Sequence, residues 1–299
     1  MESSFESIGS VASVIRSADP SGDRTGSVLR RTFDQLYDGQ RTGRYDWGQL
    51  HKTEKTHFGT VVEINMQREF GFADGGKLDF KIAGVEVDCK FSQNYAKWMI
   101  PIEARGEVCL GLWASDRDSR WSMGLFRATE SMLSKGNRDG KASLKVEARS
   151  RILWLFDRAE LPPNVLLHLP SATVSQIMSG RSGAARVREL FRLVQGRRIS
   201  RGVVATVAQQ ADYMKRIRGN GGARTSLRAE GIVVLGQFDE HRRIARSLGL
   251  PVPKRGESVS VRLARSDHRS PKSVEVDGTW WRVARLGDPM VEAPLLVSS

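Results

Sequence analysis

Two adjacent prolines, Pro162 and Pro163, stand just past the middle of this 299-residue chain. No helix interior or central strand can run through such a pair. The charge balance changes at the same place. Residues 1–150 carry 22 basic and 21 acidic side chains, whereas residues 151–299 carry 25 and 13. A backbone break that coincides with a charge step predicts two domains, 1–156 and 165–299, joined by a linker at 157–164. Each half is long enough to bury its own core. The net charge of +13 lies almost wholly in the second half. It points to a polyanionic partner there, although a membrane surface or an acidic protein would match the same charge.

Several classes are excluded early. Hydrophobic residues make up 39% and charged residues 27%, a globular balance rather than that of a disordered or fibrous chain. No run of about 18 apolar residues is present, so no transmembrane helix is expected. The N-terminal stretch is not a secretory signal, because it holds two early acids and no pure apolar segment. Cys89 and Cys109 are the only cysteines, too few for a disulfide framework and without zinc spacing. A cytoplasmic protein is expected.

The first ~20 residues read as a loose polar terminus. Leu29, Phe33, Leu36 and Tyr37 share one face of a helix predicted over 23–37, and a second helix is predicted over 56–70. Strands are predicted at 78–83, 85–92, 107–114 and 121–127, and residues 129–155 read as mostly helical. Beyond the prolines, Val187, Leu190, Phe191 and Val194 form the stripe of a helix over 185–195. Residues 203–208 fit helix or strand, and 212–218 reads as a helix ended by Gly219-Asn-Gly-Gly222. Strands follow at 232–235, 259–264, 274–276 and 280–284, with Asp277-Gly278 as a hairpin turn. The chain is thus of the mixed α/β (α+β) class.

In Val85-Glu-Val-Asp-Cys-Lys-Phe-Ser92, alternation sends Val85, Val87, Cys89 and Phe91 to one face and Glu86, Asp88, Lys90 and Ser92 to the other. Asp79 precedes by one short strand across the Gly84 turn, within reach of Asp88. Two carboxylates held together repel unless a cation lies between them. One or two carboxylates, completed by waters and a phosphate, suit Mg²⁺. A lysine beside that ion can stabilise charge on a phosphate under attack. Asp79 and Asp88 are therefore the candidate metal ligands, Lys90 the candidate catalytic lysine, and Glu63 on the preceding helix a supporting acid. The same residues also fit an ordinary half-exposed strand with a surface ion pair.

The second half offers a nucleic-acid footprint. Residues 181–230 hold 12 basic and 3 acidic side chains. Lys215, Arg216 and Arg218 end a short helix, a glycine-rich loop follows, and Arg224 and Arg228 lead into a strand. Helix, basic loop and strand together resemble a helix-turn-helix with a wing, which fixes phosphates through flanking cations. A DNA-binding regulator without catalysis is the rival reading.

Five blocks then carry a resemblance: Leu36–Arg44, Gln49–His57, Gly84–Ser92, Val203–Arg218 and Gly287–Pro294. They closely resemble the NaeI family of type IIE restriction endonucleases, along about residues 18–295. The resemblance implies an N-terminal PD-(D/E)xK nuclease domain with a central mixed sheet, and a C-terminal winged-helix, topoisomerase-like domain. It implies Glu63, Asp79, Asp88 and Lys90 as the catalytic set and Mg²⁺ as cofactor. It also implies a homodimer cutting double-stranded DNA at the centre of GCCGGC, activated by a second copy of the site on the C-terminal domains. The proline of the motif name is absent, since Leu78 precedes Asp79. Leu36-Tyr-Asp-Gly39 is similar to the Lys-x-Asp-Gly of DNA ligases, but leucine provides no nucleophile, so no adenylyl transfer is expected.

Overall fold

The computed structural model describes residues 2–218 and 221–296, with side chains from residue 6 onward. The chain forms two compact units. The first comprises Met1–Leu36 and Trp47–Pro163, the second Tyr37–Asp46 and Asn164–Ser299. The division falls just after the proline pair. One excursion went unread in the sequence, because residues 37–46 belong with the second unit.

In the first unit, helices α1 (Glu2–Ala18), α2 (Asp23–Tyr37) and, after α3 (Gly39–Thr42) of the other unit, α4 (Lys52–Phe70) accompany a sheet. The expected loose N-terminus is instead helical, and Val11, Ala12 and Ile15 are buried on its inner face. Helix α4 is capped by His51, whose backbone N–H donates to the Glu54 carboxylate at 2.8 Å, a capping arrangement that accounts for two polar residues of that block. It ends at Gly71, in the left-handed region at φ 65°.

The sheet is built from β1 (Ala73–Asp74), β2 (Phe80–Ile82), β3 (Val85–Ser92), β5 (Val108–Ser115), β6 (Arg120–Arg127) and β8 (Leu153–Glu160), hydrogen-bonded in that order. β4 (Met99–Ile100) and β7 (Ala142–Ser143) pair separately. β3 and β5 run parallel while the other neighbours are antiparallel, so the sheet is mixed. One face carries the helices, with Phe58 of α4 against Phe91 at 4.8 Å between ring centroids. The other face is covered by loops and short turns that bring Trp98, Phe126, Met132, Leu144 and Ile152 together.

Two expectations are corrected here. Residues 129–155 are not a helix but two 3-10 turns (Glu130–Met132 and Glu147–Arg151) around β7, followed by β8. Their apolar side chains cap the sheet, and that long-range packing overrides the local helical pattern. Asp157–Glu160, expected in the linker, complete β8.

The second unit packs α5 (Ser171–Met178), α6 (Gly183–Leu193), α7 (Arg201–Ala208) and α8 (Ala223–Ser226) around Val187, Leu190, Phe191, Val203 and Val207. Helix α3 belongs here: Gly39 lies so close to α7 that a Cβ would fall 2.0 Å from Thr206 Oγ1, so only glycine fits. An antiparallel sheet runs β10 (Ile232–Leu235), β11 (Glu257–Ser266), β13 (Thr279–Val283), β12 (Ser273–Val276), with β9 (Ile199–Ser200) also on β11. Helix α9 (Asp239–Ser247) covers it through Ile244 and Ala245. Asp277 and Gly278 have φ of 49° and 72°, the double left-handed turn expected between β12 and β13. The predicted helix at 212–218 is a single 3-10 turn, Tyr213–Arg216, and Gly219 and Asn220 of the predicted loop lie outside the described residues. No helix among the described residues is long and apolar enough to cross a membrane.

Candidate active site

Antiparallel pairing of β2 with β3 sets Phe80 opposite Val87, which places Asp79 beside Asp88. The Lys90 ammonium lies between the two acids, 2.8 Å from Asp88 Oδ1 and 3.3 Å from Asp79 Oδ2. It also donates to the Cys89 carbonyl at 3.0 Å. The second contact of Asp79 is with the chain itself, as the Cys89 N–H donates to Asp79 Oδ2 at 2.7 Å. Asp88 is buried, and its Oδ2 faces the Cys109 thiol at 3.9 Å across the β3–β5 pair. Alternation therefore holds, but loops cover the Asp88 face as well, and this expected outward face is not an open surface.

Electrostatics bind the group together. Burial raises the pKa of Asp88 despite the attraction of Lys90. Burial would lower the Lys90 ammonium, but Asp88 and Asp79 outweigh it and its pKa rises, so Lys90 is charged at neutral pH. Glu63 on α4 is half-buried, and its pKa is raised by burial and then by the neighbouring Asp79 charge. The structure thus brings all four expected residues into one electrostatic cluster. Burial pushes the Cys89 thiol well up, so Cys89 stays protonated rather than reactive.

Among the described residues, no three His, Cys, Asp or Glu side chains converge as a ready-made metal cluster. The oxygens around Lys90 nevertheless suit a hard cation. Asp79, Asp88 and the Cys89 carbonyl all turn an oxygen toward one point of positive charge. One or two carboxylates with a carbonyl, completed by water and phosphate oxygens, form a donor set that Mg²⁺ accepts.

One residue of this site escaped the sequence reading. The Glu86 carboxylate accepts the backbone N–H groups of Gly76 (2.9 Å), Lys77 (3.0 Å) and Leu78 (3.0 Å). These hydrogen bonds hold its pKa down at about 2. Glu86 therefore ties down the loop that delivers Asp79. The signal was Gly75-Gly76 just upstream of an acid: a Cβ on Gly75 would fall 2.1 Å from the Leu78 carbonyl oxygen.

The basic residues of the second unit fare differently. Lys215 and Arg218 are exposed. Arg216 pairs with Asp212 at 2.6 Å. Arg224 Nε donates to the Val234 carbonyl and its guanidinium lies over Phe238. Arg228 Nε donates to the Ala293 carbonyl, with Glu292 3.1 Å from the same guanidinium. Arg224 and Arg228 thus brace the unit's own chain.

With this geometry in place, comparison with known proteins sets the class. The sequence profile described as "Restriction endonuclease NaeI" matches residues 9–292. The type II restriction enzyme NaeI of Lentzea aerocolonigenes is 51% identical over 294 residues, covering 96% of this chain and 93% of that protein. A match of this extent makes the chain a type II site-specific deoxyribonuclease, an enzyme that acts on double-stranded DNA. The chain belongs to the NaeI family of restriction endonucleases. The rival reading, a DNA-binding regulator without catalysis, falls with that assignment.

Proposed function

We propose that this endonuclease cuts DNA through a PD-(D/E)xK-type centre made of Asp79, Asp88 and Lys90, with Glu63 as supporting acid and Mg²⁺ as cofactor. The observation that carries the reading is the Lys90 ammonium held against both carboxylates and the Cys89 carbonyl. Asp79 and Asp88 would hold the ion, which supplies Lewis acidity toward the scissile phosphate. Lys90, fully charged, stabilises negative charge that develops on the phosphoryl oxygens and orients the attacking water. Glu63 lines the acidic rim from α4. In-line attack forms the bond from the water oxygen to phosphorus and breaks the P–O3′ bond, and the departing 3′ oxygen takes up a proton, which leaves 5′-phosphate and 3′-hydroxyl ends.

On the resemblance of its sequence blocks to the NaeI family, the recognised palindrome is read as GCCGGC, cut at its centre to blunt ends by a homodimer. One site cuts one strand, so a palindrome calls for a two-fold pair of sites. The second unit is read as a winged-helix, topoisomerase-like module that binds an effector copy of the sequence. Its helices α6 and α7, which share a core with Ile232 and Val234 of β10, and the sheet that continues from β10 through β11 and β13 to the β12–β13 hairpin support that reading. Lys215 and Arg218 are the exposed cations nearest its glycine-rich loop.

The test is a digest of plasmid carrying GCCGGC with purified protein and Mg²⁺. Discrete blunt fragments are expected. Asp88→Ala should abolish them while DNA binding persists. Cleavage by Asp88→Ala at the wild-type rate would sink the catalytic assignment, and fragment ends elsewhere would sink the recognition sequence.

A further inference from the structure

The face of the sheet that carries Lys90 also carries an unusual arginine. Cross-strand partners share a face. Lys90, Gly111, Gly124 and Trp154 stand opposite one another from β3 to β8, and Ser92, Trp113 and Ser122 form the next row. At the end of that row the β6–β8 ladder shifts register. There Arg158 adopts a left-handed backbone at φ 50°, which is strained for a residue with a side chain.

Several contacts hold it in that conformation. The Arg158 N–H donates to Ser122 Oγ at 2.8 Å, and Ser122 in turn donates to Asp157 Oδ1 at 3.0 Å. The Tyr95 hydroxyl donates to the same Asp157 oxygen at 2.7 Å. The Arg158 guanidinium lies over the Tyr95 ring at 4.8 Å and near the Trp113 ring at 5.9 Å, while the residue remains exposed. Tyr95 is backed by Trp154, stacked at 5.3 Å. Burial and the Asp157 acceptor push the Tyr95 hydroxyl up to about 12, so the network keeps its proton at any working pH.

A strained backbone, a shifted ladder and a stacked ring together fix the plane of one exposed guanidinium. A phosphate contact does not require a fixed plane, since a flexible lysine also binds phosphate, as a point charge. Phosphate is also poorly matched to a spot beside the exposed Asp157 carboxylate. A base edge is well matched: guanine offers O6 and N7 side by side to a planar fork, and the paired cytosine offers an amino donor that a carboxylate accepts. Three strand spacings separate β3 from β8, about 14 Å. That equals the rise of about four base pairs, so Arg158 stands a few base pairs along the duplex from a phosphate held at Lys90.

We propose that Arg158, held on the Tyr95–Trp113 platform, is a specificity-determining residue that reads a guanine of the substrate duplex in the major groove. The proposal rests on the catalytic reading of the Lys90 face. Its test uses whichever duplex the wild-type enzyme is found to cut, together with a set changed one base pair at a time. Arg158→Gly suits the left-handed backbone and should fold as the wild type does, with an unchanged melting temperature.

Binding is measured in an Asp88→Ala background and cleavage in the intact enzyme. Arg158→Gly should lose roughly 10- to 100-fold on the cognate duplex and relax discrimination at one base pair per half-site. Arg158→Lys should not restore it. Loss that is equal on every duplex, and is rescued by Arg158→Lys or by lower salt, would make Arg158 a phosphate contact and overturn the proposal. So would unchanged discrimination. Failure of the catalytic reading shows separately, as cleavage that survives Asp88→Ala.

Discussion

Replacing Glu86 tests how the loop before Asp79 is held. The carboxylate accepts three N–H groups, Gly76 on Oε1 and both Lys77 and Leu78 on Oε2. Glu86→Gln retains one oxygen and so keeps at most two of these bonds, while its amide presents donors to the remaining N–H. Glu86→Ala loses all three. Residues that position metal-site ligands typically contribute about 10- to 100-fold in metal affinity or activity. The graded loss of acceptors places Gln near the lower bound and Ala near the upper. The assay is single-turnover cleavage as a function of Mg²⁺ concentration, with DNA binding measured in parallel without metal. The half-saturating Mg²⁺ concentration should rise in the order wild type, Gln, Ala, with DNA binding unchanged. The pH behaviour follows from sign. The folded pKa is depressed to about 2 from 4.5, so the contribution of Glu86 is present above 4.5 and is lost only as pH falls through about 2. The ratio of variant to wild type should therefore be the same at pH 6.5 and pH 8.5 (both well above that window). Cleavage by Glu86→Ala within twofold of wild type at low Mg²⁺ would refute the idea that this loop positions Asp79.

Two further predictions concern stability. Burial, with a contribution from Arg224, pushes the His241 imidazole down to about 4 from 6.5, while its Nδ1 accepts the Gly236 N–H. The second unit should thus hold its full stability above pH 6.5 and lose about 2–3 kcal/mol by pH 4.5 in urea unfolding; an imidazole that titrates near 6.5 in the folded protein would overturn this. In the first unit, Arg30 and Asp116 form a buried ion pair, both almost fully enclosed. Asp116→Ala leaves a buried guanidinium short of a counter-charge and should cost about 3–5 kcal/mol in unfolding free energy, whereas a loss below about 1 kcal/mol would mean that Asp34, 2.9 Å from Arg30, takes over.

The parts of the site that were legible in sequence are those written in a local period. The alternation of β3 and the Gly84 turn sufficed to bring Asp79, Asp88 and Lys90 together, because strand pairing leaves little freedom once the turn is fixed. The buried stripe of α6 was legible for the same reason. What failed to show was structure decided by distant partners. Residues 129–155 place apolar groups at spacings that suit the cap over Trp98 and Phe126, not the faces of a helix. Glu86 reads as an outward strand residue until the glycine loop folds back onto it. The basic stretch is the sharpest case. A count of cations treats Lys215, Arg216, Arg218, Arg224 and Arg228 alike. The fold divides them, because the Val234 and Ala293 carbonyls that engage Arg224 and Arg228 lie 10 and 65 residues further along the chain. Charge density in sequence therefore overstates the surface available to phosphates, and counterion release depends on those cations that are not already engaged with the protein's own oxygens. Of these five, Lys215 and Arg218 are the exposed ones, Lys215 within the 3-10 turn and Arg218 just before the glycine loop. An effector duplex on the second unit would thus meet a narrower set of cations than the composition of the basic half suggests.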